Sequence, residues 1–155
     1  MPKEIERKFL VNDFSAIPVG KGYLIKQGYL PLYGKTSVRV RRYQDVAFIT
    51  IKGKRKGAVR SEFQYPIPAN EADEILSEVC KKPFIEKLRY KVVHHGLTWV
   101  VDVFEGANKG LILAEIELEQ ENQSIPMPEW IGEEVTEDAR YYNANLSKCP
   151  FKKWK

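Results

Sequence analysis

Apolar and polar residues alternate with a period of two along most of this chain. The alternating stretches are Ile5 to Phe9, Val38 to Arg41, Phe48 to Lys52, Ser61 to Ile67, Lys87 to Val93, Trp99 to Val103 and Ala114 to Glu119, bounded by Gly, Pro, Asn or Asp. A period of two sends successive side chains to opposite faces of an extended strand, so the pattern predicts seven or eight antiparallel strands. Two segments carry helix signals instead. Asn70 to Lys81 opens on an Asn cap with Asp73 three residues on, and Thr136 to Lys148 opens on a Thr cap followed by Glu137 and Asp138. A single helical turn is predicted at Asp13 to Ile17. The class is α+β dominated by β.

The polar positions of the predicted strands are almost all ionised. Glu4, Glu6 and Lys8 share a face, as do Arg39 and Arg41, Thr50 and Lys52, Arg60 and Glu62, Lys87 and Arg89, and Glu115, Glu117 and Glu119. Asp102 is the single charge in the run WVVDVF. Two architectures accommodate this. One is an open sheet with a core on one face and a solvated face of mixed charge on the other. The other is a sheet closed on itself, polar inside and apolar outside, its outer surface covered by the helices or a partner. Like charges at i and i+2 repel. A face that gathers Lys8, Arg39, Arg41, Lys52, Arg60, Lys87 and Arg89 beside Glu4, Glu6, Glu62, Asp102, Glu115 and Glu117 therefore points to binding of a highly charged ligand, which the closed arrangement suits.

Composition narrows the setting. The chain has 155 residues, 43% of them hydrophobic, with no internal repeat, low-complexity tract or linker, so one domain over residues 1–155 is expected. Lys and Arg exceed Asp and Glu by 25 to 21. A net charge this modest makes charge placement matter more than charge total. Two cysteines without a CxxC pair argue against a disulfide framework and a structural zinc site, and favour a reducing, cytoplasmic setting. The N-terminal residues show no signal-peptide pattern, and no stretch approaches 18 apolar residues, so no membrane span is expected. The run KGKRKG at Lys52 to Gly57 reads as a basic hairpin turn with Lys52 alone in the site. Trp99, Trp130 and Trp154 show no stacking pattern, and no nucleic acid is expected as partner. His94 and His95 are adjacent before Gly96, so they face opposite ways and read as turn or surface residues; Cys80 lies on the apolar face of its helix and reads as structural. Tyr141 and Tyr142 could be core or could reach the site.

Carboxylates without Cys or suitably placed His favour a hard cation, Mg²⁺ or Mn²⁺, held by Glu115 and Glu117 with Glu4, Glu6 and Asp102 close behind. Converging Arg and Lys suit phosphate. Phosphoryl transfer asks a protein mainly for positioning and charge neutralisation, and these two sets of residues supply both.

The segment EIERKFL, Glu4 to Leu10, resembles the ExExK opening of the CYTH superfamily, also called triphosphate tunnel metalloenzymes. The resemblance continues in order through KQGYL (Lys26 to Leu30), VRVRR (Val38 to Arg42), TIKGK (Thr50 to Lys54), RSEFQ (Arg60 to Gln64), EKLRY (Glu86 to Tyr90), AEIELE (Ala114 to Glu119) and EVTEDARYYNANL (Glu134 to Leu146). It implies an eight-stranded antiparallel closed barrel, a tunnel with a charged lumen and a few flanking helices. It further implies phosphate binding by Lys8, Arg39, Arg41, Lys52, Lys87 and Arg89, with Arg60 a looser match, and metal binding by Glu4, Glu6, Glu115 and Glu117, with Asp102 looser. Tyr29 and Lys87 match a catalytic pair, and YYNANL resembles a segment that closes one tunnel end. The short bacterial members that look most similar are inorganic triphosphatases, which makes hydrolysis of triphosphate to pyrophosphate and phosphate the leading expectation. Class IV adenylyl cyclases and nucleoside, thiamine and RNA triphosphatases share ExExK. Cyclisation of ATP or hydrolysis of nucleoside or thiamine triphosphate is the enzymatic alternative, and a non-catalytic polyphosphate-binding module the alternative from another class. A homodimer is possible.

Overall fold

The computed structural model describes residues 5–32, 34, 36–54, 61–120 and 122–154. Nine strands form one antiparallel sheet: β1 (Ile5–Val11), β2 (Tyr23–Tyr29), β3 (Ser37–Tyr43), β4 (Val46–Lys52), β5 (Glu62–Ile67), β6 (Ile85–His94), β7 (Leu97–Phe104), β8 (Ile112–Leu118) and β9 (Ile131–Glu134). Two helices accompany them, α1 (Ala69–Glu78) and α2 (Asn143–Lys148). The strand order is β5-β4-β3-β2-β6-β7-β8-β1-β9. Among the described residues there are nine strands rather than eight, and β5 and β9 end the sheet without pairing to each other, so the antiparallel sheet expected above is present and its closure into a barrel is not.

The register sorts the side chains onto two faces. Outward positions such as Phe9, Val92, Trp99, Val101, Ala114, Ile116 and Leu118 form one buried cluster, closed over by Ile17 and Trp130. Val40 and Ala47 form another beneath Ala72, Leu76 and Cys80. The apolar residues thus lie on the outer face, under α1 and the connecting segments. At one end the inner face also turns apolar: Ile85, Phe104 and Leu113 pack against Tyr141 and Leu146. The C-terminal segment is drawn across the concave side by that contact, so Tyr141 is core while Tyr142 is exposed.

Local signals account for most boundaries. Asp13 caps a 3₁₀ turn at Phe14–Ala16 by accepting the Ser15 backbone N–H. The β6–β7 hairpin turns through His95 and Gly96, both at positive φ, the geometry of a tight primed turn. α1 begins at Ala69 rather than Asn70 and has no side-chain cap; Asp73 instead pairs with Arg42 across α1 and β3. Its end is held by Lys82, whose Nζ donates to the carbonyls of Leu76 and Ser77 at 2.6 and 2.7 Å. The second predicted helix is much shorter than expected. Asp138 caps a 3₁₀ turn at Ala139–Tyr141, and α2 follows with six residues. Thr136 is not its cap, because its hydroxyl accepts the backbone N–H of Lys8 at 3.0 Å and so belongs to the β1 edge.

Candidate functional site

Residues directly opposite each other in neighbouring strands share a face. Starting from Glu6, the register carries one continuous face across the sheet: Glu6 opposite Glu117, Lys8 opposite Glu115, Arg89 opposite Asp102, Gln27 opposite Arg41, Tyr29 opposite Arg39, Thr50 opposite Arg39, and Lys52 opposite Glu62. On a flat sheet β1 and β4 would be about 29 Å apart, at ~4.8 Å per strand. Yet Glu6 and Lys8 of β1 line the same cavity as Arg39, Arg41, Thr50 and Lys52, with a volume of about 1000 Å³. The sheet is therefore strongly curled, its charged face is the concave one, and Thr136, Tyr142, Asn143 and Ser147 of the C-terminal segment contribute to the lining.

The middle of this face is the most buried. Lys87 is wholly excluded from solvent and Asp102 is 2% exposed. Lys87 Nζ lies 2.9 Å from Asp102 Oδ2 and 3.1 Å from Asn143 Oδ1. Arg89 grips the same carboxylate with two bonds, Nε to Oδ1 at 2.8 Å and Nη2 to Oδ2 at 2.9 Å. Burial alone would raise the Asp102 pKa, but Lys87 and Arg89 outweigh it and hold it at about 2. Burial pushes the Lys87 ammonium below its ordinary value, opposed by Asp102 and reinforced by Arg89.

The β2–β3–β4 side is different. Among the described residues neither Arg39 nor Arg41 has a carboxylate within ion-pairing distance. Arg39 Nε is buried with no hydrogen-bond partner, and Arg41 Nε donates to Gln27 Oε1 at 2.7 Å. Burial, Arg39 and Arg89 lower the Arg41 pKa to about 10. Thr50 is buried and donates to Gln64 Oε1 at 3.0 Å. This is a cavity wall whose two guanidinium groups are met by neutral side chains rather than by a paired carboxylate among the described residues.

The carboxylates lie on the β1–β8 side. Glu6 and Glu117 are cross-strand neighbours, and Glu115 is 3.4 Å from Lys8 Nζ. Lys8 also donates to the Tyr141 carbonyl at 3.2 Å and sits 5.4 Å from the centre of the Tyr142 ring. Among the described residues no three carboxylate, His or Cys side chains are gathered into a ready metal cage. Glu4 and Arg60 lie outside the described residues, as do residues 55–57 of the basic run.

Of the residues singled out in the sequence, Glu6, Lys8, Tyr29, Arg39, Arg41 and Lys52 line the cavity, while Lys87, Arg89 and Asp102 form the ion-paired cluster on the same face. Glu115 and Glu117 lie beside Lys8 and Glu6. Tyr29 is four residues along β2 from Ile25, the partner of Lys87, about 13 Å of strand. Sequence reasoning missed Gln27, Thr136, Asn143 and Ser147. Gln27 was findable, since it stands two residues before Tyr29 on the same face; Asn143 lies in the YYNANL segment whose resemblance implied a tunnel end, but its contact with Lys87 depends on long-range packing that no local pattern encodes.

The fold and this face define a class: a curled antiparallel sheet that gathers cations and carboxylates around one cavity. The chain belongs to the CYTH domain family, whose model matches residues 2–150. It is 50% identical over 155 residues to an inorganic triphosphatase of Acetivibrio thermocellus, covering all of this chain and 99% of that protein. To an inorganic triphosphatase of Nitrosomonas europaea it is 35% identical over 152 residues, covering 93% of this chain and 96% of that one. A crystal structure of an inorganic triphosphatase superposes with a TM-score of 0.77 at 34% identity, covering 95% of each chain.

Proposed function

We propose that the protein is an inorganic triphosphatase, which uses water to cleave tripolyphosphate into pyrophosphate and phosphate on the concave face of its sheet. The observation that carries this reading is the pair Arg39 and Arg41, half-buried in the cavity wall without carboxylate partners among the described residues and flanked by Lys52, opposite a wall bearing Glu6 and Lys8. Uncancelled guanidinium groups in a poorly solvated wall hold a polyanion far better than ion-paired ones do. The full-length likeness to inorganic triphosphatases supports the same substrate.

In this reading Arg39, Arg41 and Lys52 hold the phosphate oxygens in line, and Lys8 joins them by exchanging its contact with Glu115. Of the expected catalytic pair, Tyr29 lines the cavity and can reach substrate, whereas Lys87 is buried against Asp102, opposite a point about 13 Å further along β2, and acts through the charged face rather than by direct contact. Asp102 keeps Lys87 and Arg89 in place, since both its oxygens are already engaged by them. A hard divalent cation, Mg²⁺ or Mn²⁺, fits the all-oxygen donor set of the neighbouring Glu6 and Glu117, with Glu115 beside them. When bound, the cation would neutralise charge on the reacting phosphates. Two free thiols, Cys80 and Cys149, suit a cytoplasmic site of action.

The test is a substrate panel. Tripolyphosphate, pyrophosphate, ATP and thiamine triphosphate are each incubated with the pure protein with and without Mg²⁺ or Mn²⁺, and phosphate, pyrophosphate and cyclic AMP are measured together. Fastest release of phosphate and pyrophosphate from tripolyphosphate, dependent on the cation, is the expected result. Faster cyclic AMP formation from ATP, or binding without turnover, would replace this reading.

A further inference from the structure

The two halves of the charged face treat their cations differently. Arg89 is neutralised by two bonds to Asp102. Arg41, one strand beyond β2, is met by a glutamine. Gln27 lies opposite Arg41 in the β2–β3 register, is 1% exposed, and accepts the Arg41 Nε–H at 2.7 Å. The amide must present its oxygen here, because guanidinium donates and cannot accept. Among the described residues the Arg41 side chain makes no other hydrogen bond, so its remaining guanidinium donors are uncommitted and the side chain lines the cavity.

We propose that Gln27 is a positioning residue that fixes the direction of Arg41 through a neutral acceptor, leaving the whole positive charge of the guanidinium to a phosphate group of the substrate. This rests on the triphosphatase reading and extends it to a side chain outside the charged set. A carboxylate at residue 27 would orient Arg41 equally well, but it would form an ion pair that a polyphosphate has to displace. An apolar side chain would leave the charge uncancelled and the direction unset. Only a neutral acceptor of this length does both. The lowered Arg41 pKa, caused by burial and by Arg39 and Arg89, is consistent with a cation that the protein leaves uncompensated.

The experiment compares Gln27→Glu and Gln27→Leu with the unaltered protein. Steady-state kinetics with tripolyphosphate and Mg²⁺ are read together with melting temperatures measured with and without tripolyphosphate. In Gln27→Glu the ligand-free melting temperature stays at or above that of the unaltered protein, because an ion pair replaces a hydrogen bond. KM nonetheless rises at least tenfold, and most of the tripolyphosphate-induced rise in melting temperature disappears. In Gln27→Leu the ligand-free protein melts lower and KM rises about three- to tenfold, with kcat within twofold. A purely structural role would give the opposite order, with glutamate tolerated and leucine not. KM and ligand-induced stabilisation within twofold of the unaltered protein in Gln27→Glu would overturn the proposal. If that variant does not fold, Gln27→Leu decides: a rise in KM alone supports positioning, and an equal loss in kcat or no change overturns it. Failure of the unaltered protein to bind or cleave tripolyphosphate would overturn the triphosphatase reading, and this inference with it.

Discussion

Lys87 Nζ and Asp102 Oδ2 lie 2.9 Å apart in the centre of the sheet, the lysine fully excluded from solvent and the aspartate nearly so. Two buried opposite charges of this kind are costly to bring out of water, and removing one leaves the other uncompensated. Asp102→Asn should therefore cost about 3–5 kcal/mol, and Lys87→Met in the same background should restore part of it. Urea unfolding of the single and double variants measures both; a single variant within ~1 kcal/mol of the unaltered protein would show that the cluster is not coupled.

The same pair sets an acid limit on stability. The folded Asp102 pKa of about 2 is below its ordinary 3.8. A carboxylate depressed in the folded state contributes stability above its unfolded pKa and loses it as the pH falls through the folded value. The contribution is about 2 kcal/mol. Its loss should fall between pH 4 and pH 2, and the slope of stability against pH in that window should flatten in Asp102→Asn.

Arg39 and Arg41 predict a graded response to anions. A ligand that binds only the folded protein stabilises it by about 2.7 kcal/mol at a hundredfold excess over Kd. For a chain of this length that is roughly 5–11 °C in melting temperature. Tripolyphosphate should give the largest rise, pyrophosphate less and phosphate least at equal ionic strength, and Arg39→Ala combined with Arg41→Ala should abolish the difference. Equal small shifts for all three would mean that the face behaves as an ordinary solvated surface.

Glu6 and Glu117 stand side by side across β1 and β8, two carboxylate donors that one hard divalent cation can bridge. Glu6→Gln and Glu117→Gln should each lower turnover with Mg²⁺ by at least about a hundredfold while leaving the fold intact. Circular dichroism confirms the fold and a phosphate-release assay the loss. Near-normal rates in both variants would discard these residues as ligands.

Gly28 allows a different kind of test. A Cβ there would approach Leu76 Cδ2 at 3.0 Å and the Cβ atoms of Cys80 and Phe84 at 3.1 Å, tighter than a packed core accepts without movement. Gly28→Ala should cost about 1–3 kcal/mol by overpacking. Because the added methyl lies on the outer face, KM for tripolyphosphate should not move; a change in KM equal to that of Gln27→Leu would show that α1 and the cavity are not independent.

The charged face was legible in the sequence because a period of two needs no tertiary information: once Arg39 and Arg41, or Lys87 and Arg89, stand two apart, they share a face. β2 escaped the alternation because Lys26 and Gly28 occupy its outer face, the glycine being required by α1. β9 escaped because four residues, Ile131–Glu134, carry too little pattern. The closed barrel was not recoverable from local signals either way, since closure depends on whether the two end strands meet, which no stretch of alternation encodes. The segment holding Asn143 was singled out by resemblance, but its contact with Lys87 was not legible, for a related reason. Its approach to Lys87 depends on Leu146 and Tyr141 finding Ile85, Phe104 and Leu113 across the sheet.

The position of β1 has a consequence for how the chain is made. Its neighbours are β8 and β9, with Ile5 opposite Leu118 and Phe9 opposite Glu134. The strands bearing Arg39, Arg41 and Lys52 can pair as soon as they leave the ribosome, through short hairpin connections. The N-terminal strand must wait with both edges open until residues 112 onward have been synthesised. The cationic wall is thus the early part of the molecule and the acidic wall the late one. A chain stopped before β8 already holds Asp102 against Lys87 and Arg89, but not the Glu115 and Glu117 that stand beside Lys8 and Glu6.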